Sequence, residues 1–120
     1  MRLKTVALLA ALVMAAPAWA HDAKSLHGGR IVFAGNFHVE MVAKGDTIDV
    51  YLIDHHNKQM ALAGYKGLAI LSVDGKSQRI VLETGDGGRL TGKAAGALPA
   101  QPKGVVQITP PGGTTVSAKF

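Results

Sequence analysis

The sequence predicts an all-β fold, a small antiparallel β-sandwich or barrel of about seven to eight strands, behind a cleaved signal peptide. Three observations predict it. Short runs of alternating apolar and polar residues recur through the chain, and no stretch after residue 24 sustains a helical period. Glycine-rich turn signals separate these runs at the spacing of a small sandwich or barrel. The first twenty residues follow a different pattern from everything after them.

Those residues carry Arg2 and Lys4, then an unbroken apolar run over 6–16, then Ala18-Trp19-Ala20, which fits the small-x-small cleavage rule. Residues 1–20 therefore read as a secretory signal peptide and 21–120 as a single β domain. A retained anchor is the competing reading, but the run is short for a membrane span. Cleavage after Ala20 leaves 11 basic residues against 8 acidic ones, a net charge of +3. The basic residues are scattered singly, which excludes a nucleic-acid footprint. The address is periplasmic, and an extracellular one would carry the same signal.

The chain has 120 residues, 48% of them hydrophobic, enough for one core and too many for a disordered segment. With no cysteine, disulfides, thiol catalysis, iron–sulfur clusters and thiolate zinc sites are excluded. Any metal must be held by His, Asp, Glu, Met or backbone groups.

Strands are expected at 29–34, 36–43, 47–54, 67–73, 77–83, 88–94, 104–110 and 114–120. Lys44-Gly45-Asp46 joins the second and third, and Asp74-Gly75 is a type I′ hairpin signal. Three glycines in residues 84–88 and Pro110-Pro111-Gly112-Gly113 mark two further reversals. Residues 95–103, with Pro99 and Pro102, form the longest expected crossing loop. Alternation puts Phe37, Val39 and Met41 on one face with Ile48, Val50 and Leu52, and leaves His38 and Glu40 together on the other.

The chemistry lies in five histidines, all at or before residue 56: His21, His27, His38, His55 and His56. Histidine is the commonest metal ligand, and here it is the natural donor. At a mature N-terminus, the α-amine and ring of His21 can chelate one ion, a nitrogen set suited to copper(II). A histidine that merely follows the cleavage site is the plainer alternative. His27 precedes Gly28-Gly29, which reads as a turn into the first strand, with His27 itself a ligand candidate. His38 and Glu40 are an i, i+2 pair of the kind that can share a ligand, or else two groups on a solvated strand face. Glu40 can also act by orienting a histidine. His55 and His56 point to opposite sides unless the chain leaves the strand there, so they read as a surface loop with one of them an auxiliary ligand. Met41 reads as core, and Met60 as a gap-filler before a soft copper ligand. No serine elbow, phosphate loop or helix-borne zinc-protease motif is present, which argues against an enzyme.

The stretch from His27-Gly28-Gly29 through His38-Val39-Glu40, followed by Val50-Tyr51-Leu52-Ile53-Asp54, resembles segments of small bacterial periplasmic proteins and domains associated with heavy-metal efflux adaptors. The resemblance covers about a third of the chain. It implies periplasmic metal handling and points to His27, His38 and Glu40. His55-His56 departs from the Asp-rich turn expected of that pattern. An N-terminal histidine is also similar to that of CopC-like copper carriers.

Together these readings give a non-enzymatic metal-binding protein for resistance or delivery, with copper first and zinc second as the ion, and His21, His27, His38 and Glu40 as the site. A module that docks on a membrane efflux complex, its histidines incidental, is the alternative. A redox enzyme with a histidine-chelated copper is a third reading. Bound imidazoles must be neutral, so binding is expected to weaken as pH falls through about 6.5.

Overall fold

Eight antiparallel strands form one continuous sheet that curls into a nearly closed barrel in the computed structural model, which describes residues 25–120. The expected signal peptide and His21 lie outside the described residues. In chain order the strands are β1 (Arg30–Ala34), β2 (Phe37–Lys44), β3 (Thr47–Ile53), β4 (Lys66–Val73), β5 (Lys76–Gly85), β6 (Arg89–Lys93), β7 (Lys103–Thr109) and β8 (Val116–Lys119). Each meets an expected strand within a few residues. No helix of the described residues is long and apolar enough to cross a membrane.

The sheet order is β1-β2-β3-β6-β5-β4-β7-β8. Tight turns make β1-β2, β2-β3, β4-β5 and β5-β6 neighbours. At the β4-β5 turn, Asp74 and Gly75 both take positive φ, 52° and 75°, as a type I′ turn requires. Two longer connections cross over. Residues 94–102 join β6 to β7, and residues 54–65 join β3 to β4. The second is the longer, which corrects the expectation that 95–103 would be the longest. The strands expected at 47–54 and 67–73 already leave this longer gap, and its Met60 and Leu62 side chains pack on the core.

Alternation delivers the interior. Val39, Ile48, Val50, Leu52, Ala69, Leu71, Leu90, Val106 and Ile108 are fully buried there. Val39 lies opposite Leu52 and Met41 opposite Val50 in the β2-β3 ladder, so the two expected apolar sets do share one core. Gly104 permits the close β4-β7 approach: its φ is 151°, and a Cβ there would sit 2.1 Å from the Ile70 carbonyl oxygen.

β1 lies against β8 without a hydrogen-bonded ladder. Arg30 bridges this seam. Its guanidinium donates to the Pro102 carbonyl at 3.3 Å and lies 5.9 Å from the centre of the Phe120 ring.

The outer face of β1-β2-β3 is not a simple solvated surface. Glu40 and Ile53 are fully buried and Tyr51 nearly so, although all three point away from the barrel interior. Residues 25–29 run across this face and dock on Glu40. This strap and the 54–59 loop build the local site.

Candidate metal centre

Glu40 sits in the middle of β2, opposite Ile31 on one side and Tyr51 on the other. Its carboxylate accepts four donors from the strap. Oε2 takes the Ser25 hydroxyl at 2.5 Å, the His27 amide at 3.1 Å and the Gly29 amide at 2.8 Å. Oε1 takes the Leu26 and His27 amides, each at 3.2 Å. Burial opposes the charge, but the Ser25 hydroxyl and the amides of Gly29, His27 and Leu26 outweigh it and hold the pKa below its ordinary value. The His-x-Glu spacing does place both side chains on one face, yet this carboxylate is committed to fastening the chain. Its part in the site is to position the strap, and with it His27.

His27 lies flat on Tyr51, ring centres 3.6 Å apart and planes 12° apart. Its Nε2 is 2.8 Å from Gln59 Oε1. The Gln59 amide nitrogen donates to the Gly87 and Gly88 carbonyls, at 2.7 and 3.1 Å. The Gln59 oxygen therefore faces His27, and the ring's Nε2 carries the proton. That leaves Nδ1 as the only nitrogen of His27 open to an ion.

His38 lies two residues before Glu40, between Phe33 of β1 and Ile53 of β3 in the ladder. Its Nδ1 is buried and has no hydrogen-bond partner. A buried polar atom without a partner costs about 1–3 kcal/mol. Phe33 meets the His38 ring edge-on, centres 5.2 Å apart.

His55 completes the group. Its ring centre is 6.4 Å from that of His38, the planes at 79°, and 6.4 Å from that of Phe33. The chain does leave the strand at residue 54. Asp54 Oδ1 accepts the amides of His56 at 2.8 Å and Lys58 at 3.0 Å, while the Asp54 amide donates to the Lys58 carbonyl at 2.8 Å. The Lys58 amide is the foremost of the contacts that lower the Asp54 pKa, a shift that keeps this carboxylate charged and accepting. Asn57 takes a φ of 58°, which asparagine tolerates better than most residues. The chain doubles back until Gln59 bridges to Ile53 and the Met60 amide reaches Leu52. This reversal sets His55 beside His38, and both His55 and His56 remain exposed.

Of the four expected site residues, then, His27, His38 and Glu40 share one face, and His21 lies outside the described residues. The sequence marks one of His55 and His56, without saying which, as an auxiliary ligand and gives Gln59 and Ser25 no role. The Asp54 and Asn57 turn chemistry was the available signal that the chain folds back here. Among the described residues, no three His, Asp or Glu side chains converge as a metal-holding group, so His38 and His55 stand as a pair. Comparison with known proteins finds no matching family model, no matching characterised sequence and no matching solved structure.

Proposed function

We propose that this chain is an exported, periplasmic, non-enzymatic protein that binds a transition metal, copper before zinc, for metal resistance or delivery. The observation that carries this reading is His38, whose buried Nδ1 lacks a partner beside a second imidazole. Imidazole nitrogen is a good donor to both ions, and copper forms the tighter complexes in a given nitrogen site. The fold also brings the chain to Ser25, anchored on the neighbouring Glu40. Three residues separate His21 from Ser25, and the four extended steps between them reach about 14 Å. An amine and imidazole at a mature N-terminus would thus act within range of this face.

Copper(II) and zinc(II) titration of the protein beginning at His21, beside a version with one extra alanine before it, tests the reading. Tight copper binding weakened by the extra alanine assigns the His21 amine. Tight binding in both places the ion on the ring nitrogens of the described face. No binding in either, with copper(I) also left unbound, removes the metal-carrier reading.

One observation favours docking on a membrane efflux complex instead. Phe33 is 61% exposed on β1, a strand with no ladder partner on its outer side. Partner capture that survives joint substitution of His21, His27 and His38 would establish that alternative.

A further inference from the structure

Resting on the metal-binding reading, we infer that His38 and His55 alone form a site for monovalent copper, with the two imidazoles on opposite sides of the ion. The argument is geometric. A metal–nitrogen bond of about 2.0 Å, with about 1.1 Å more to each ring centre, places two coordinated imidazole centres about 6.2 Å apart when they face each other across the ion. At the tetrahedral angle that zinc prefers, the same bonds place them about 5.1 Å apart. The observed separation is 6.4 Å. The spacing of the ring centres matches opposed coordination, whereas a tetrahedral ion would have to draw the centres together by about 1.3 Å. The 79° between the ring planes is compatible with this, because each ring can turn about its own nitrogen–metal axis.

The number of donors points to the same ion. Zinc asks for four ligands and copper(II) for a tetragonal set, but the described residues bring two imidazoles together and no third His, Asp or Glu. Monovalent copper, a filled-shell ion, is satisfied by two nitrogen donors in line. Coordination by Nδ1 would also give His38 the partner that this buried atom lacks. Phe33 flanks both rings, its centre 5.2 Å from His38 and 6.4 Å from His55. An aromatic ring beside the pair adds a cation-attracting surface to the site. Glu40, the nearest carboxylate along β2, is held by the strap and adds no hard oxygen donor.

The test is anaerobic competition for copper(I) against a chromogenic chelator, on the wild-type protein and on His38→Gln, His55→Gln and His27→Gln, with thermal unfolding as the folding control. The expected result is one copper(I) per chain, with affinity lower by on the order of 100-fold in each of the first two variants, at least what loss of a supporting partner costs. His27→Gln and the protein with an extra alanine before His21 should bind as wild type does. His55→Gln alters an exposed loop, so it reports on the site even if His38→Gln fails to fold. Wild-type affinity in folded His55→Gln overturns the pair. Equimolar zinc displacing copper(I) overturns the opposed geometry. Copper(II) bound at His21 with no copper(I) bound overturns this inference and leaves the metal-binding reading standing, whereas no metal bound at all overturns both.

Discussion

Glu40→Gln keeps the shape of the side chain and removes its charge, so it isolates what the carboxylate does for the strap. Glu40 is fully buried, and its two oxygens receive the Ser25 hydroxyl and the amides of Leu26, His27 and Gly29. A glutamine can keep one oxygen at the Oε2 position, still facing Ser25, His27 and Gly29. Its NH2 group must then face the Leu26 amide, donor against donor. Leaving that amide unsatisfied costs about 1–3 kcal/mol, and the retained bonds fall from charge-assisted to neutral strength. A loss of about 2–4 kcal/mol follows, which for a domain near 100 residues lowers Tm by roughly 10–25 °C. The dependence on pH has a definite sign. Because the folded pKa lies below the ordinary 4.5, the contribution is complete above pH 4.5 and is lost as pH falls through the folded value. The gap between wild type and Glu40→Gln should be constant at neutral pH and narrow below 4.5. Thermal unfolding by circular dichroism across that range is the assay. A neutral-pH Tm within about 3 °C of wild type, under 1 kcal/mol, would refute the strap anchor.

Three other perturbations separate the strap, the loop and the barrel. His27→Ala removes the stack on Tyr51 and the bond to Gln59, and should cost about 1–2 kcal/mol in denaturant unfolding while leaving copper(I) affinity unchanged. Asp54→Ala frees the His56 and Lys58 amides in an exposed loop, so Tm should hold while copper(I) affinity drops by about tenfold as His55 loses its fixed position. Gly104→Ala forces a Cβ against the Ile70 carbonyl at a φ of 151°, and should cost about 3 kcal/mol or more, read as a lowered urea midpoint.

Where residue chemistry is local, it was legible. The period-2 runs located all eight strands, because in a sheet of this kind one face of each strand is buried and the pattern records it. Asp74-Gly75 gave its turn type for the same local reason. What alternation does not show is that Met60 and Leu62, in the 54–65 connection outside any strand, pack on the core. The outer face of β2 is less legible, for a different reason. His38 and Glu40 look like polar residues facing water, and only the tertiary path of residues 25–29 reveals that a buried carboxylate is needed there. Nothing in a two-residue spacing says whether a glutamate will meet an ion or four hydrogen-bond donors. The pairing of His38 with His55 likewise depends on a chain reversal between residues 17 positions apart in the sequence.

The division of labour on β2 follows from the energetics of its two polar side chains. To recruit Glu40 to a metal, the protein would have to release the Ser25 hydroxyl and three amides from a covered site, leaving each without a partner. At about 1–3 kcal/mol for each orphaned donor, that loss approaches the whole stability of a small domain. His38 stands in the opposite position two residues away. Its Nδ1 already lacks a partner, so an ion bound there breaks no hydrogen bond at that atom. A metal arriving at this face therefore gains by meeting the imidazole and loses by meeting the carboxylate. The buried anion holds residues 25–29 and the stacked His27 in place beside the strand that carries His38.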